Sequence, residues 1–65
     1  MENKIRKFRE KSKLSQHKLA LCIGVTQGTI GLYERGLREP SLKTIKKLAQ
    51  ALKCKPTDLF PVLKG

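Results

Sequence analysis

Acidic residues are scarce in this chain. Five Asp and Glu stand against fifteen Lys and Arg in 65 residues, leaving a net charge of +10. Solubility needs far less charge than that. A surplus of this size implies an anionic partner, with nucleic acid ahead of a membrane surface. Long apolar runs are missing too. None approaches the roughly 20 residues that span a bilayer, and the N-terminal MENKIRKFREK is too charged for a signal peptide. Two cysteines, Cys22 and Cys54, make no disulfide framework, and with the single His17 they do not make a zinc set. The expectation is a reduced, cytoplasmic protein with no metal, both cysteines serving as small apolar residues. Paired carboxylates, a nucleophile motif and a phosphate loop are also lacking. Gly28 and Gly31 flank Thr29-Ile30 without the Gly-Lys-Ser/Thr that a P-loop requires. No enzyme activity and no cofactor are expected. With two Phe, one Tyr and no Trp, the interior must be filled by Leu and Ile. The length allows a single domain, read over residues 1–65.

What is present is organised around residues 14–36, LSQHKLALCIGVTQGTIGLYERG. Ser15 and Thr26 are each placed to cap a helix by accepting a backbone N–H. Between them Ile23-Gly24-Val25 offers a glycine to end the first helix and an apolar residue to bury at the bend. That is the pattern of a helix-turn-helix, over about residues 15–36, whose second helix can lie in a DNA major groove.

Apolar spacing predicts five short helices, no strand and an all-α fold. The first runs from about Asn3 to Lys11 with Ile5 and Phe8 on one face. The second buries Leu19, Ala20 and Ile23 and leaves Leu21 off the stripe. The third runs from about Gln27 to Arg35, turns Ile30 and Tyr33 inward, and stops at Gly36. Ser41 caps a fourth from Leu42 to about Leu52, whose stripe is Leu42, Ile45, Leu48, Ala49 and Leu52 beneath a face of Lys43, Lys46, Lys47 and Lys53. Pro56 suits a first helical position and opens a fifth to Phe60, followed by a short apolar tail over residues 60–63.

Helix starts normally favour acids, because the macrodipole is positive there. The second, third and fourth helices begin Ser15-Gln16-His17-Lys18, Thr26-Gln27-Gly28-Thr29 and Ser41-Leu42-Lys43-Thr44, all without one. Such ends suit a bound phosphate. On the third helix, Gln27, Gly28, Gly31 and Leu32 should face outward, with Thr29 and Arg35 at the margins. Glutamine can pair with both adenine N6 and N7, a contact that discriminates by roughly 1–3 kcal/mol. Two glycines on one exposed helical face, each costing about 1 kcal/mol against Ala, make sense where something approaches the backbone closely.

The chain resembles the lambda-repressor-like, Cro/XRE-type helix-turn-helix family from Ile5 to Phe60. The resemblance is carried by Leu14-Ser15-Gln16, Leu19-Ala20, Gly24-Val25-Thr26-Gln27, Thr29-Ile30, Glu34-Arg35-Gly36, Pro40-Ser41-Leu42 and Leu48-Ala49-Ala51-Leu52. It implies a compact five-helix domain and sequence-specific binding to double-stranded DNA, usually as a homodimer on a palindromic operator in phage or prokaryotic transcription control. It further implies that Gln27 reads a base and that Gly28 and Leu32 occupy the other main reading positions. Gln16 would contact a phosphate and brace Gln27, and Thr26, Arg35, Arg38 and Lys43 would hold phosphates, with Thr29 beside them. Arg9 and Glu34 would form a structural ion pair.

Three departures stand out. Lys18 replaces the acid of a capping box, Lys13 and Lys53 stand where relatives end helices with glycine, and Gly28 replaces a side chain that often reads a base. The last shifts weight toward operator shape and deformability. A dimer would form through the C-terminal region, with Leu52, Phe60, Val62 and Leu63 as candidates; alternatively Phe60 and Leu63 close the monomer core. Other readings are an antitoxin or a restriction-modification controller, with a protein partner such as a toxin or antirepressor docking on Leu21 or the tail. A protein-interaction module or coactivator without specific DNA binding is a further one.

Overall fold

A computed structural model of the chain describes residues 3–64, the Lys64 side chain excepted, so the domain read over residues 1–65 reaches past it by Met1, Glu2 and Gly65. Local chemistry places the helices. Ser15 Oγ accepts from Lys18 N at 3.0 Å, Thr26 Oγ1 from Thr29 N at 3.2 Å, and Ser41 Oγ from Thr44 N at 3.2 Å. These caps open α2 (Gln16–Ile23), α3 (Gln27–Glu34) and α4 (Leu42–Ala51). Ahead of them, Asn3 Oδ1 accepts from Ile5 N at 3.1 Å at the start of α1 (Ile5–Lys11), two residues later than the periodicity suggested. Pro56 is the first residue of α5 (Pro56–Leu59), where Asp58 Oδ2 accepts from Lys55 N at 2.9 Å. The apolar tail is not extended: Pro61–Lys64 forms a 3-10 turn, with Leu63 N donating to Phe60 O at 2.9 Å.

Four helices end the same way. Lys13, Gly24, Gly36 and Lys53 have φ of 58°, 75°, 71° and 54°, the left-handed region. The amide one residue beyond each reaches back to a carbonyl in the last helical turn: Leu14 to Arg9, Val25 to Ala20, Leu37 to Leu32 and Cys54 to Ala49, all within 3.1 Å. These are Schellman-type closures. Glycine adopts this φ freely, whereas each lysine carries a Cβ penalty of about 1–2 kcal/mol. Lys13 and Lys53, standing where relatives end helices with glycine, therefore carry strain that glycine would not. Arg35, Leu52 and Phe60, read as helical, are instead the residues that cap α3, α4 and α5.

The core lies where α2 packs on α3 and α4, with α1 against α3 and α5 against α4. Ile5, Leu19, Ile30, Leu48, Leu59 and Phe60 are fully buried at its centre. Two bonds close the chain on itself: Asn3 Nδ2 donates to Tyr33 O and Lys4 N to Leu59 O, each at 2.8 Å.

Four expectations are corrected by burial. Leu42 is 60% exposed, because the first turn of α4 projects beyond the packing that begins at Ile45. Leu52 (3%) and Phe60 (0%) are buried within the monomer, where α5 folds back on α4, so neither presents a surface for a dimer. Val62 (63%) and Leu63 (42%) remain exposed, so Leu63 does not close the core. Cys22 is exposed rather than buried; Cys54 is half-buried against the core, and that burial, with Asp58 nearby, raises its thiol pKa.

Candidate nucleic-acid interface

Gly24 turns the chain between α2 and α3, and the bend is fixed from inside by Ile23 and the partly buried Val25. This lays the start of α2 beside the outer face of α3. The two helices and α1 together form an open cleft of about 590 Å³, lined by Arg6, Arg9, Gln16, Gln27, Gly28, Gly31, Glu34 and Arg35. Five of the residues expected to meet DNA are thus brought together: Gln16, Gln27, Gly28, Gly31 and Arg35. The others lie outside the cleft. Thr26, Arg38 and Lys43 are exposed, while Thr29 and Leu32 are half-buried.

The floor is a hydrogen-bonded ion pair. Arg9 Nε donates to Glu34 Oε2 at 2.6 Å, Arg9 Nη2 to Glu34 Oε1 at 3.4 Å, and Arg9 Nη1 to Leu14 O at 2.8 Å. The side chains are only 12% and 5% exposed. The bond from Glu34, ahead of an opposing effect of burial, raises the Arg9 pKa, so the guanidinium stays charged. A pair this sheltered adds little net stability, yet removing one partner strands the other at about 3–5 kcal/mol. Among the described residues Glu34 is the only acid lining the cleft, and Arg9 neutralises it. The remaining charges there, Arg6 and Arg35, are positive.

Sequence reasoning missed two features. Arg6 was not singled out, although it lies three residues before Arg9 and so on the same side of α1. Its ion pair with Glu10 at 3.5 Å is largely exposed and so worth little, leaving Arg6 able to face an anion. The second is the partner of Gln16. Its Nε2 donates to Glu34 Oε1 at 3.0 Å, where the resemblance implied bracing of Gln27.

The helix starts keep the expected character: α2, α3 and α4 have no acid in the first turn. Thr26 and Thr29 hydroxyls share a hydrogen bond of 2.8 Å, and Ser41 donates to Thr44 at 3.0 Å. A hydroxyl pair with free lone pairs and protons at a positive dipole end can turn to meet an anion. The glycines are open. A Cβ on Gly28 would come no nearer than 4.0 Å to Thr26 Oγ1, and one on Gly31 no nearer than 3.9 Å to Gln16 Nε2. Nothing inside the protein demands glycine at either position. Among the described residues, no helix is long and apolar enough to cross a membrane.

Known proteins share this fold. The helix-turn-helix family model matches residues 5–59. An HTH-type transcriptional regulator of Archaeoglobus fulgidus is 38% identical over 60 residues, covering 92% of this chain and 84% of the relative. The restriction-modification controller protein C.AhdI of Aeromonas hydrophila superposes with a TM-score of 0.82 at 42% identity, over 88% of this chain and 83% of that one. The P22 c2 repressor, solved in complex with a synthetic operator, superposes with a TM-score of 0.79 at 35% identity, over 83% and 82%. With its turn at Gly24, its α2–α3 pair and this breadth of similarity, the chain belongs to the Cro/XRE-type helix-turn-helix family of transcriptional regulators.

Proposed function

We propose that the protein is a sequence-specific regulator that binds a palindromic operator in duplex DNA as a homodimer, in the manner of a short phage or prokaryotic repressor acting in the cytoplasm. The observation that carries this reading is the cleft. It gathers Gln16, Gln27, Gly28, Gly31 and Arg35 on one positively charged face. On this reading α3 enters the major groove, Gln27 reads a base edge, and Gly28, Gly31 and Leu32 shape the contact around it. Gln16, Thr26, Thr29, Arg35, Arg38 and Lys43 hold phosphates along the flanks. Val62 and Leu63, exposed in the last turn, are the two of the four expected dimer candidates that remain available for pairing two copies. Repression then needs only occupancy of a promoter.

Selection of bound sites from random duplex DNA tests the whole reading. The expected result is a two-fold symmetric site with half-site centres about 34 Å apart, bound by a complex that sediments as two chains. Recovery of no common sequence, or a monomer on the selected site, refutes it. The likeness to C.AhdI supports a second reading, a restriction-modification controller. It is distinguished by whether the selected site lies upstream of an endonuclease gene.

A further inference from the structure

We propose that Glu34 is the positioning residue of the reading face: it fixes which end of the Gln16 amide points toward the ligand. This deepens the DNA-binding reading above and rests on it. An ionised carboxylate only accepts hydrogen bonds, so the end of Gln16 that meets Glu34 must be Nε2, as it is at 3.0 Å. Glu34 cannot turn away, because its other oxygen is held by Arg9 Nε at 2.6 Å and its side chain is 5% exposed. Gln16 Nε2 also lies over Gly31, 3.9 Å from where a Cβ would stand, so the amide sits against α3.

With Nε2 committed, Gln16 Oε1 is the end directed away from Glu34, and one N–H of Nε2 is left over. Gln16 therefore meets DNA with a set polarity. The spare N–H can donate to a phosphate oxygen, and Oε1 can accept from a neighbouring amide or from a base amino group. Arg9 on α1 and Glu34 on α3 are in this way coupled to recognition through a residue of α2. The ion pair does more than hold two helices together.

Glu34→Gln inverts the logic. Its amide has one oxygen, which the charged Arg9 Nε takes as the stronger donor. That leaves an N–H facing Gln16, and Gln16 must turn over to accept it.

Two measurements test this. The first needs no DNA. In the native chain, one side-chain amide proton of Gln16 should resonate downfield and exchange about tenfold or more slowly than those of Gln50, which is exposed on α4. Gln16 protons that exchange as fast as those of Gln50 overturn the proposal. The second is a cycle of Glu34→Gln with Gln16→Ala, reading the ratio of affinity for the selected site to affinity for random duplex. In the native background Glu34→Gln should reduce the ratio about tenfold, the scale of one lost base pairing, because Gln16 Oε1, the end free to accept from the neighbouring Gln27 amide or a base amino group, is turned inward. In the Gln16→Ala background it should leave the ratio unchanged, while thermal stability falls in both. Equal reduction of the ratio in both backgrounds, or none in either, overturns the proposal. If Glu34→Gln does not fold, the exchange measurement on the native chain decides alone. A native chain without sequence preference overturns the proposed function instead, and the exchange result still judges the amide.

Discussion

Gly31→Ala separates what the fold needs from what the ligand needs. Gly31 is the fifth of eight residues in α3 and has no positive φ, so it sits in ordinary helix interior. A methyl there would meet Gln16 Nε2 at 3.9 Å, an ordinary contact. The substitution should therefore stabilise the free protein by about 1 kcal/mol, through helix propensity and a less flexible unfolded chain. In a domain of this size that raises Tm by about 4–8 °C, measurable by far-ultraviolet circular dichroism with urea unfolding as a cross-check. Affinity should move the other way. If DNA comes against the α3 backbone at this point, the added methyl overpacks the contact and weakens specific-site binding about tenfold, the low end of such penalties. Binding to random duplex should hardly change. A variant that is more stable and binds its operator as well as the native chain refutes the close-approach argument. A variant that is no more stable shows that the fold itself requires glycine at position 31.

Affinity for duplex should fall with salt, log K against log salt having a slope of about −0.9 per phosphate neutralised; a flat line removes the DNA-binding reading. Gln27→Ala should relax base preference, whereas Lys43→Ala should weaken specific and random DNA alike and flatten the salt slope by about one; equal losses on both DNAs for both variants would refute that division. Lys13→Gly and Lys53→Gly should each stabilise by about 0.5 kcal/mol in a denaturant series, the left-handed penalty being partly offset by greater unfolded-state freedom and a lost cation at a helix C-terminus. A clear loss of stability would refute the strain argument. A thiol reagent at pH 8 should label exposed Cys22 before Cys54, whose raised pKa keeps it protonated; the raised value also means that any stability Cys54 contributes is present at neutral pH and lost as pH climbs through it. Faster labelling of Cys54 would show that α5 does not stay docked.

The helix starts were legible because their cause is local. Ser15, Thr26 and Ser41 each sit three residues before the amide they satisfy, and that spacing is written in the sequence. The stripe of Leu19, Ala20 and Ile23 was legible for the same reason. Leu42 was not, since helical period tells which side of α4 it lies on but not whether anything covers the first turn. Leu52 lies in the stripe that the period shows, and Phe60 was open between a dimer contact and the core; that both are closed off inside the monomer depends on α5 folding back across α4, a long-range event that no local pattern records. The same limit applies at the site. Gln16 and Glu34 are both conspicuous in the sequence, but the bond between them spans α2 and α3 and exists only once the turn at Gly24 has set their angle.

The uneven use of stability across so small a domain follows from this. Strain at Lys13 and Lys53 lies at helix C-termini away from the cleft, where a cation meets the negative end of a dipole and recovers about 0.3–1 kcal/mol. Each lysine also adds to the positive field that draws in an anion. Gly28 and Gly31 recover nothing of the kind in the free protein: a Cβ at either would make only an ordinary contact, with Thr26 Oγ1 at 4.0 Å or Gln16 Nε2 at 3.9 Å. Their weakening of α3 is compensated only when something occupies the space above them. The strained lysines are therefore consistent with attraction at a distance and the bare glycines with close contact. Substitutions at the two kinds of position should separate accordingly, the first changing salt-dependent affinity for any duplex and the second changing the preference for one.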